Sequence, residues 1–104
     1  MSIAVGVPLA SGGQIGLVLG YRGLRAPVEI KPFTAWKPET APARKALWQV
    51  NRDQVYLSAA HGFLWLPKAG TGRIVHRYGL RAGLVWIVFG SVRSLLRAVE
   101  HRMR

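Results

Sequence analysis

The stretch ALWQVNRDQVYLSAAHGFLWLPKAGTGRIVHRY (residues 46–78) carries the clearest structural pattern in this chain of 104 residues. It contains four short runs rich in β-branched and aromatic side chains: ALWQV, QVYLSA, FLWLP and RIVHRY. Turn-forming connectors such as NRD and KAGTG separate the runs. Because β-branched and aromatic residues fit a half-buried pleated surface, this arrangement predicts a small antiparallel β-meander or barrel.

Alternation along the runs predicts one core-facing side and one partly polar side of the sheet. In RIVHRY, every second residue shares one side of the strand, which groups Arg73, Val75 and Arg77 together. In QVYLSA, the apolar Val55 likewise opposes the polar Gln54. The alternation is imperfect, but it favours strands throughout this stretch.

The N-terminal part of the chain predicts three further strands and a proline-rich arm. The runs IAVGVPL and QIGLVLGY, within residues 3–21, flank a glycine-containing turn, and APVEIK (residues 26–31) is a third short strand. Residues 32–45 contain three prolines and no usable periodicity, which predicts an extended loop or arm. Phe33 and Trp36 are its expected anchors, either on a partner or in the protein's own core.

The C-terminal segment LRAGLVWIVFGSVRSLLRAVEHRMR (residues 80–104) predicts a single amphipathic helix that begins at Leu80. Apolar side chains recur along one stripe in steps of three and four. Arg93, Arg97 and His101 follow a different face in steps of four. The predicted helix is therefore apolar in its first half and basic in its second.

The predicted fold class is mainly β with a C-terminal α-helix, an α+β arrangement. A chain of this length fits one domain with a modest core. The expected organisation is a small β-rich domain at residues 1–79, with its proline-rich arm at residues 32–45, followed by a basic helix at residues 80–104.

The C-terminal helix has three candidate environments. Arg81 and Arg93 bracket eleven uncharged residues, 82–92, which cover roughly 16 Å of a hydrocarbon core about 30 Å thick. A full membrane crossing is therefore the least favoured alternative. The helix could lie on a membrane surface with Trp86 and Phe89 at the interface, or it could pack against the β-rich domain or a neighbouring subunit.

Charge is the most unusual property of the composition. Fifteen Lys and Arg residues face four acids, which gives a net charge of +11. Such an imbalance predicts an anionic partner: nucleic acid, lipid headgroups or an acidic protein surface. The residues predicted to contact a polyanion are Arg73, Arg77, Arg93, Arg97, Arg102 and Arg104.

The sequence shows no pattern typical of an enzyme. The three histidines are scattered, and the four acids are not paired at short spacing, so neither a metal site nor an acid–base couple is predicted. AGTGR (residues 69–73) lacks the Lys-Ser/Thr ending of a phosphate-binding loop. No cofactor is expected, and no basic segment of a signal peptide precedes Arg22.

Two functions fit these observations. The favoured one is a small structural or assembly subunit of a virus particle or a membrane-associated complex, located at a membrane surface or inside the particle. The alternative is a small β-barrel that binds nucleic acid, with scattered arginines on phosphates and Trp48, Tyr56, Phe63 or Trp65 stacking on bases. The residues predicted to contact other subunits or a membrane are Trp86, Phe89, Val92, Leu96 and Val99.

Overall fold

The computed structural model describes residues 2–10, 12–78, 81–83, 88–89 and 92–102. Nine regular strands and helices lie within these ranges. The strands are β1 Ser2–Pro8, β2 Gln14–Tyr21, β3 Leu24–Ile30, β4 His61–Leu66, β5 Thr71–Tyr78, β6 Arg81–Gly83 and β7 Val88–Phe89, and the helices are α1 Ala41–Leu57 and α2 Val92–Arg102.

Strands β1 to β5 form the body of a mixed sheet. β1, β2 and β3 pair antiparallel in sequence order, β3 and β4 pair parallel, and β4 and β5 pair antiparallel. The short strands β6 and β7 both pair with β5. The mainly β prediction is thus confirmed. The predicted barrel is wrong, because the described strands form a sheet that does not close, and the predicted meander is interrupted by the parallel pair.

The parallel pairing of β3 and β4 explains why a helix lies between them in the chain. Parallel neighbours need a crossover connection that returns the chain to the same end of the sheet, usually through a helix. Here α1 provides that return. It packs on one face of the sheet, where Ala46 and Val50 are buried against Leu64, Leu66 and Val75.

Helix α2 packs on the opposite face of the sheet. Its Leu95 and Val99 are buried in a cluster with Phe63 of β4 and Ile74 of β5. Ile74 and Val75 are therefore both buried although they point to opposite sides. The predicted polar face is wrong for this part of the sheet, because helices cover both sides of its central strands.

The two predicted strands ALWQV and QVYLSA are wrong. Residues 41–57 form α1 instead, and the connector NRD lies inside that helix. Thr40, with an extended backbone, precedes the first turn, and Pro42 lies within it, where a missing N–H costs no hydrogen bond. Ser58 ends the helix in the left-handed region at φ 52°.

The proline-rich arm is shorter than predicted and packs on the protein itself. Residues 31–40 connect β3 to α1, so the predicted arm of residues 32–45 overlaps the start of the helix. Phe33 and Trp36 are both half-buried against the cluster beneath α1. Of the two alternatives for these anchors, the structure supports the protein's own core.

The C-terminal helix begins at Val92, twelve residues later than predicted. The residues before it include β6 and β7, whose partners on β5 are residues 76–78 and 72–73. Hydrogen bonding to a neighbouring strand therefore overrides the local helical pattern. No helix within the described ranges is long and apolar enough to cross a membrane.

Gly62 allows α1 to lie close to β4. A Cβ at this position would be 2.5 Å from Val50 Cγ1 and 3.1 Å from Gln54 Cγ, so Gly62→Ala must displace the Val50 side chain or the helix that carries it. We expect the free energy of unfolding to fall by about 1–3 kcal/mol, measured by urea denaturation. Gly16→Ala is the matched control, because no heavy atom lies within 4 Å of its added Cβ. Equal effects of the two substitutions would contradict this packing.

Candidate nucleic-acid interface

The outer side of α1 carries arginines and aromatic rings in steps of four. Arg44, Trp48, Arg52 and Tyr56 follow one another along this side, and we call these four residues the α1 stripe. Trp48 is 60 % exposed and Tyr56 is 47 % exposed, although both are large aromatic side chains. Exposed aromatics between arginines form a surface that offers both positive charge and flat rings.

The stripe lies outward because the opposite side of α1 is buried in the core. The core-facing residues recur with the period of a helix and are Ala43, Ala46, Val50, Asp53, Gln54 and Leu57. A helix that buries one side this fully must present its other side to solvent. The exposure of Trp48 and Tyr56 therefore follows from the packing of the whole helix.

Gln54 fixes the helix to the sheet through its side chain. It is fully buried, and its Nε2 donates hydrogen bonds to the carbonyl oxygens of Ala60, at 3.2 Å, and of Val75, at 3.1 Å. The second bond joins α1 directly to β5. These two bonds pair the Nε2 group and favour one rotation of α1 about its axis, whereas the buried Oε1 of Gln54 has no hydrogen-bond partner among the described residues.

Arg52 is held in place by contacts on two sides. Its Nε donates a hydrogen bond of 3.0 Å to Oδ1 of Asp53, and its guanidinium lies over the ring of Trp48, 5.5 Å from the ring centroid. Charge-assisted hydrogen bonds and cation–π contacts both restrict a side chain that is otherwise flexible. The Arg52–Trp48 pair is therefore partly ordered before any ligand binds.

Asp53 contributes to this arrangement from inside the protein. Its side chain is 1 % exposed. Burial raises the pKa of the Asp53 carboxyl above its usual value, and the hydrogen bond and charge of Arg52 only partly oppose this. The nearby carboxylate of Glu29 adds to the increase in the pKa. One of the four acids of the chain is thus withdrawn from the surface.

A cavity adjoins each end of α1. At the C-terminal end, a cavity of about 270 Å³ lies between the turn that joins β2 to β3 and the residues after the helix; Arg25, Ser58 and His61 are among its lining residues. At the N-terminal end, a cavity of about 440 Å³ lies between the arm and the first turn, with Phe33 and Lys37 in its wall. Each cavity therefore contains a cation in its wall, but no residue of the α1 stripe lines either of them.

The arginines predicted to bind a polyanion occupy several different places. Arg93 and Arg97 are exposed on α2, on the opposite face of the sheet from the α1 stripe. Arg73 is half-buried, and its Nη1 donates to Thr71 Oγ1 at 2.8 Å and to the Gly72 carbonyl at 3.0 Å. The side chains of Arg77, Arg102 and Arg104 lie outside the described residues. The structure thus places Arg93 and Arg97 on the same helix, whereas Arg73 is hydrogen-bonded to its neighbours Thr71 and Gly72.

The residues predicted to contact a partner or a membrane are placed only in part. Val99 is fully buried and Leu96 is half-buried, both against the sheet of the same chain. Val99 therefore has no surface to offer a partner in this arrangement, because the protein's own core covers it. Trp86 and the side chains of Phe89 and Val92 lie outside the described residues, and their contacts stay a prediction.

Of the four aromatics predicted to stack on bases, the structure exposes two. Trp48 and Tyr56 lie on the α1 stripe, whereas Phe63 is fully buried and Trp65 is half-buried against the same core cluster. The sequence pattern predicted strands at Trp48 and Tyr56 and a turn at Arg52, in the connector NRD between them. Pro42, two residues after Thr40, was the sequence signal for the start of a helix. A helix beginning there would have placed Trp48, Arg52 and Tyr56 on one side.

The described part of the chain holds no group of three or more His, Cys, Asp or Glu that could bind a metal. No known protein family, curated protein or solved structure matches this chain.

Substitution of Asp53 tests its burial through the pH dependence of stability. A carboxyl whose pKa is raised in the folded state is easier to accommodate when protonated, so its contribution to stability falls as pH rises from 3.8 through the raised pKa. Asp53→Asn removes this ionisation. We therefore expect the free energy of unfolding of Asp53→Asn, relative to the parent protein, to be higher at pH 7 than below pH 3.8.

Urea denaturation across this pH range measures the difference. Glu39→Gln removes the same charge from an exposed position and controls for the general effect of net charge. The assigned cause of the pKa shift would be wrong if the difference in the free energy of unfolding between Asp53→Asn and the parent were independent of pH. It would also be wrong if that difference matched the difference for Glu39→Gln at every pH.

Proposed function

We propose that this protein binds nucleic acid through the α1 stripe, with unpaired bases stacking on its aromatic rings. The observation that carries the proposal is the exposed Trp48 ring with the guanidinium of Arg52 over it. Stacking on exposed aromatics is a common mode of binding single strands, because every base has a flat face. The proposal gives the protein a binding role and no catalytic one.

The geometry of the stripe supports a single strand as the ligand. Arg44 is exposed one turn before Trp48, where it can contact a phosphate while the Trp48 ring contacts a base. The guanidinium of Arg52 lies over the ring, so a base would stack on the opposite ring face. Residues four apart in a helix rise about 6 Å along its axis, which is comparable to the spacing of phosphates in an extended strand. A paired duplex would not offer its base faces to these rings.

The charge of the whole chain supports the same ligand. With a net charge of +11, the protein attracts polyanions from all directions. Lipid headgroups and acidic proteins share that attraction, but nucleic acid differs from both in carrying a flat heterocycle beside every anionic group, which can stack on the exposed ring of Trp48. Aromatic exposure together with charge therefore favours nucleic acid among the anionic partners.

Binding of a labelled single-stranded oligonucleotide, followed by fluorescence anisotropy, tests the proposal. We expect Trp48→Ala to weaken binding by about 1–3 kcal/mol, which raises Kd roughly fivefold to 150-fold, because one stacking contact is lost. Ile30→Ala, which shortens an exposed apolar side chain on β3, should leave Kd nearly unchanged. Affinity should also fall steeply as salt concentration rises, because phosphate contacts release counterions.

A pair of charge reversals separates the two faces of the protein. Arg44→Glu and Arg97→Glu change the net charge equally, and both positions are exposed, one on α1 and the other on α2. We expect Arg44→Glu to weaken binding more than Arg97→Glu. Equal losses of affinity would indicate a nonspecific response to net charge. A larger loss of affinity for Arg97→Glu would indicate that the interface lies on α2.

A second candidate function is a structural or assembly subunit of a larger complex, such as a virus particle or a membrane-associated assembly. It is favoured by Ile3 and Val5, which are 64 % and 78 % exposed on the edge strand β1. Exposed apolar side chains at a sheet edge are typical of association sites. The two functions are compatible, because Ile3 and Val5 share the face of the sheet on which α2 packs, whereas α1 packs on the other face. The α1 stripe meets β1 at its far end, where the Tyr56 hydroxyl donates a hydrogen bond of 3.3 Å to the Pro8 carbonyl.

A further inference from the structure

The strand β1 has a free edge. Among the described strands, it pairs only with β2 and ends the sheet. Its sequence, SIAVGVP, contains no charged residue. Proteins usually protect an edge strand with charges, a bulge, proline or a covering segment, because unpaired backbone groups bind other strands. In β1, Gly6, at φ 65°, and Pro8 oppose pairing with another strand, and both lie in the second half of the strand.

The first half of β1 belongs to an apolar patch on the face of the sheet that α2 covers only in part. Ile3 pairs with Leu19 and Val5 with Leu17, so their side chains share the face of the core cluster around Leu19. Leu24 of β3 is 54 % exposed on the same face. The patch therefore extends from the buried core to the open edge.

Charge limits which partner this edge fits. The chain has a net charge of +11, so two copies repel each other over most of their surfaces. The strand β1 itself carries no charged side chain, although Arg22 and Arg25 line a cavity together with Ser2 at its start. The uncharged segment of residues 3–5 has an apolar side chain at each end, so a second copy of the same segment can pair with it without adding a cation to the contact.

We propose that two copies of this chain pair antiparallel through residues 3–5 of β1. A two-fold axis perpendicular to the sheet, midway between Ala4 of one copy and Ala4 of the other, places Ile3 of each copy opposite Val5 of the other. Residues directly opposite in an antiparallel pair point to the same face, so the two apolar patches merge. The contact is isologous, as in most dimers, and it joins the two sheets into one.

The symmetry of this pairing has a consequence for the α1 stripe. Rotation about an axis perpendicular to the sheet keeps each face on its own side, so both α1 helices lie on one face of the combined sheet. Two stripes on one face can bind a single long strand together. This extends the proposed function, but the dimer itself does not depend on it.

Sedimentation velocity of the full chain over a range of concentrations, without nucleic acid, tests the pairing. We expect a concentration-dependent dimer whose dissociation constant rises at least tenfold in Ile3→Lys and in Val5→Lys, because an edge lysine opposes strand pairing. Val55→Lys is the matched control, since Val55 is 58 % exposed on α1. It should leave the dimer unchanged. Circular dichroism and thermal unfolding verify that each variant is folded.

Two results would overturn the proposal. The first is a folded parent protein that stays monomeric up to several hundred micromolar. The second is a dimer that persists in both edge variants or that is lost equally in Val55→Lys, which would place the contact elsewhere. Neither result bears on binding to nucleic acid, because an isolated α1 stripe remains in a monomer.

Discussion

The close packing of α1 on β4 and β5 is the constraint on which the rest of this structure depends. Gly62 leaves the space for Val50, and Gln54 bridges to the backbone of β5. The crossover between the parallel strands β3 and β4 runs through this contact, so the topology of the sheet requires it. The same contact fixes which side of the helix is buried and therefore which residues are exposed.

The distribution of charge follows from that burial. Asp53, one of four acids in the chain, lies on the buried side of α1 and accepts a hydrogen bond from Arg52. Arg52 in turn covers part of the exposed ring of Trp48. A buried carboxylate would ordinarily destabilise the fold, and its hydrogen bond to Arg52 offsets part of that cost. The effect is an ordered basic and aromatic surface, as a stacking ligand would require.

The two faces of the sheet differ in how completely they are covered. α1 is seventeen residues long and spans β3, β4 and β5, whereas α2 is eleven residues long and its buried side chains meet the cluster around Phe63. The shorter helix leaves apolar side chains of β1 and β3 exposed near the free edge. One face thus presents the α1 stripe, and the other presents an apolar edge suited to association.

The sequence by itself determined the five principal strands outside α1, the mainly β class and the presence of a basic C-terminal helix. It did so because short apolar runs between glycine- and proline-containing turns have few other stable conformations. It could not determine α1, because Asp53 and Gln54 occupy the core-facing side and conceal the helical period of apolar residues. Nor could it locate the start of α2, since β6 and β7 form only where β5 supplies partners. Only the tertiary structure decided that Trp48, Arg52 and Tyr56 share one exposed surface, because that depends on which side of α1 the sheet buries.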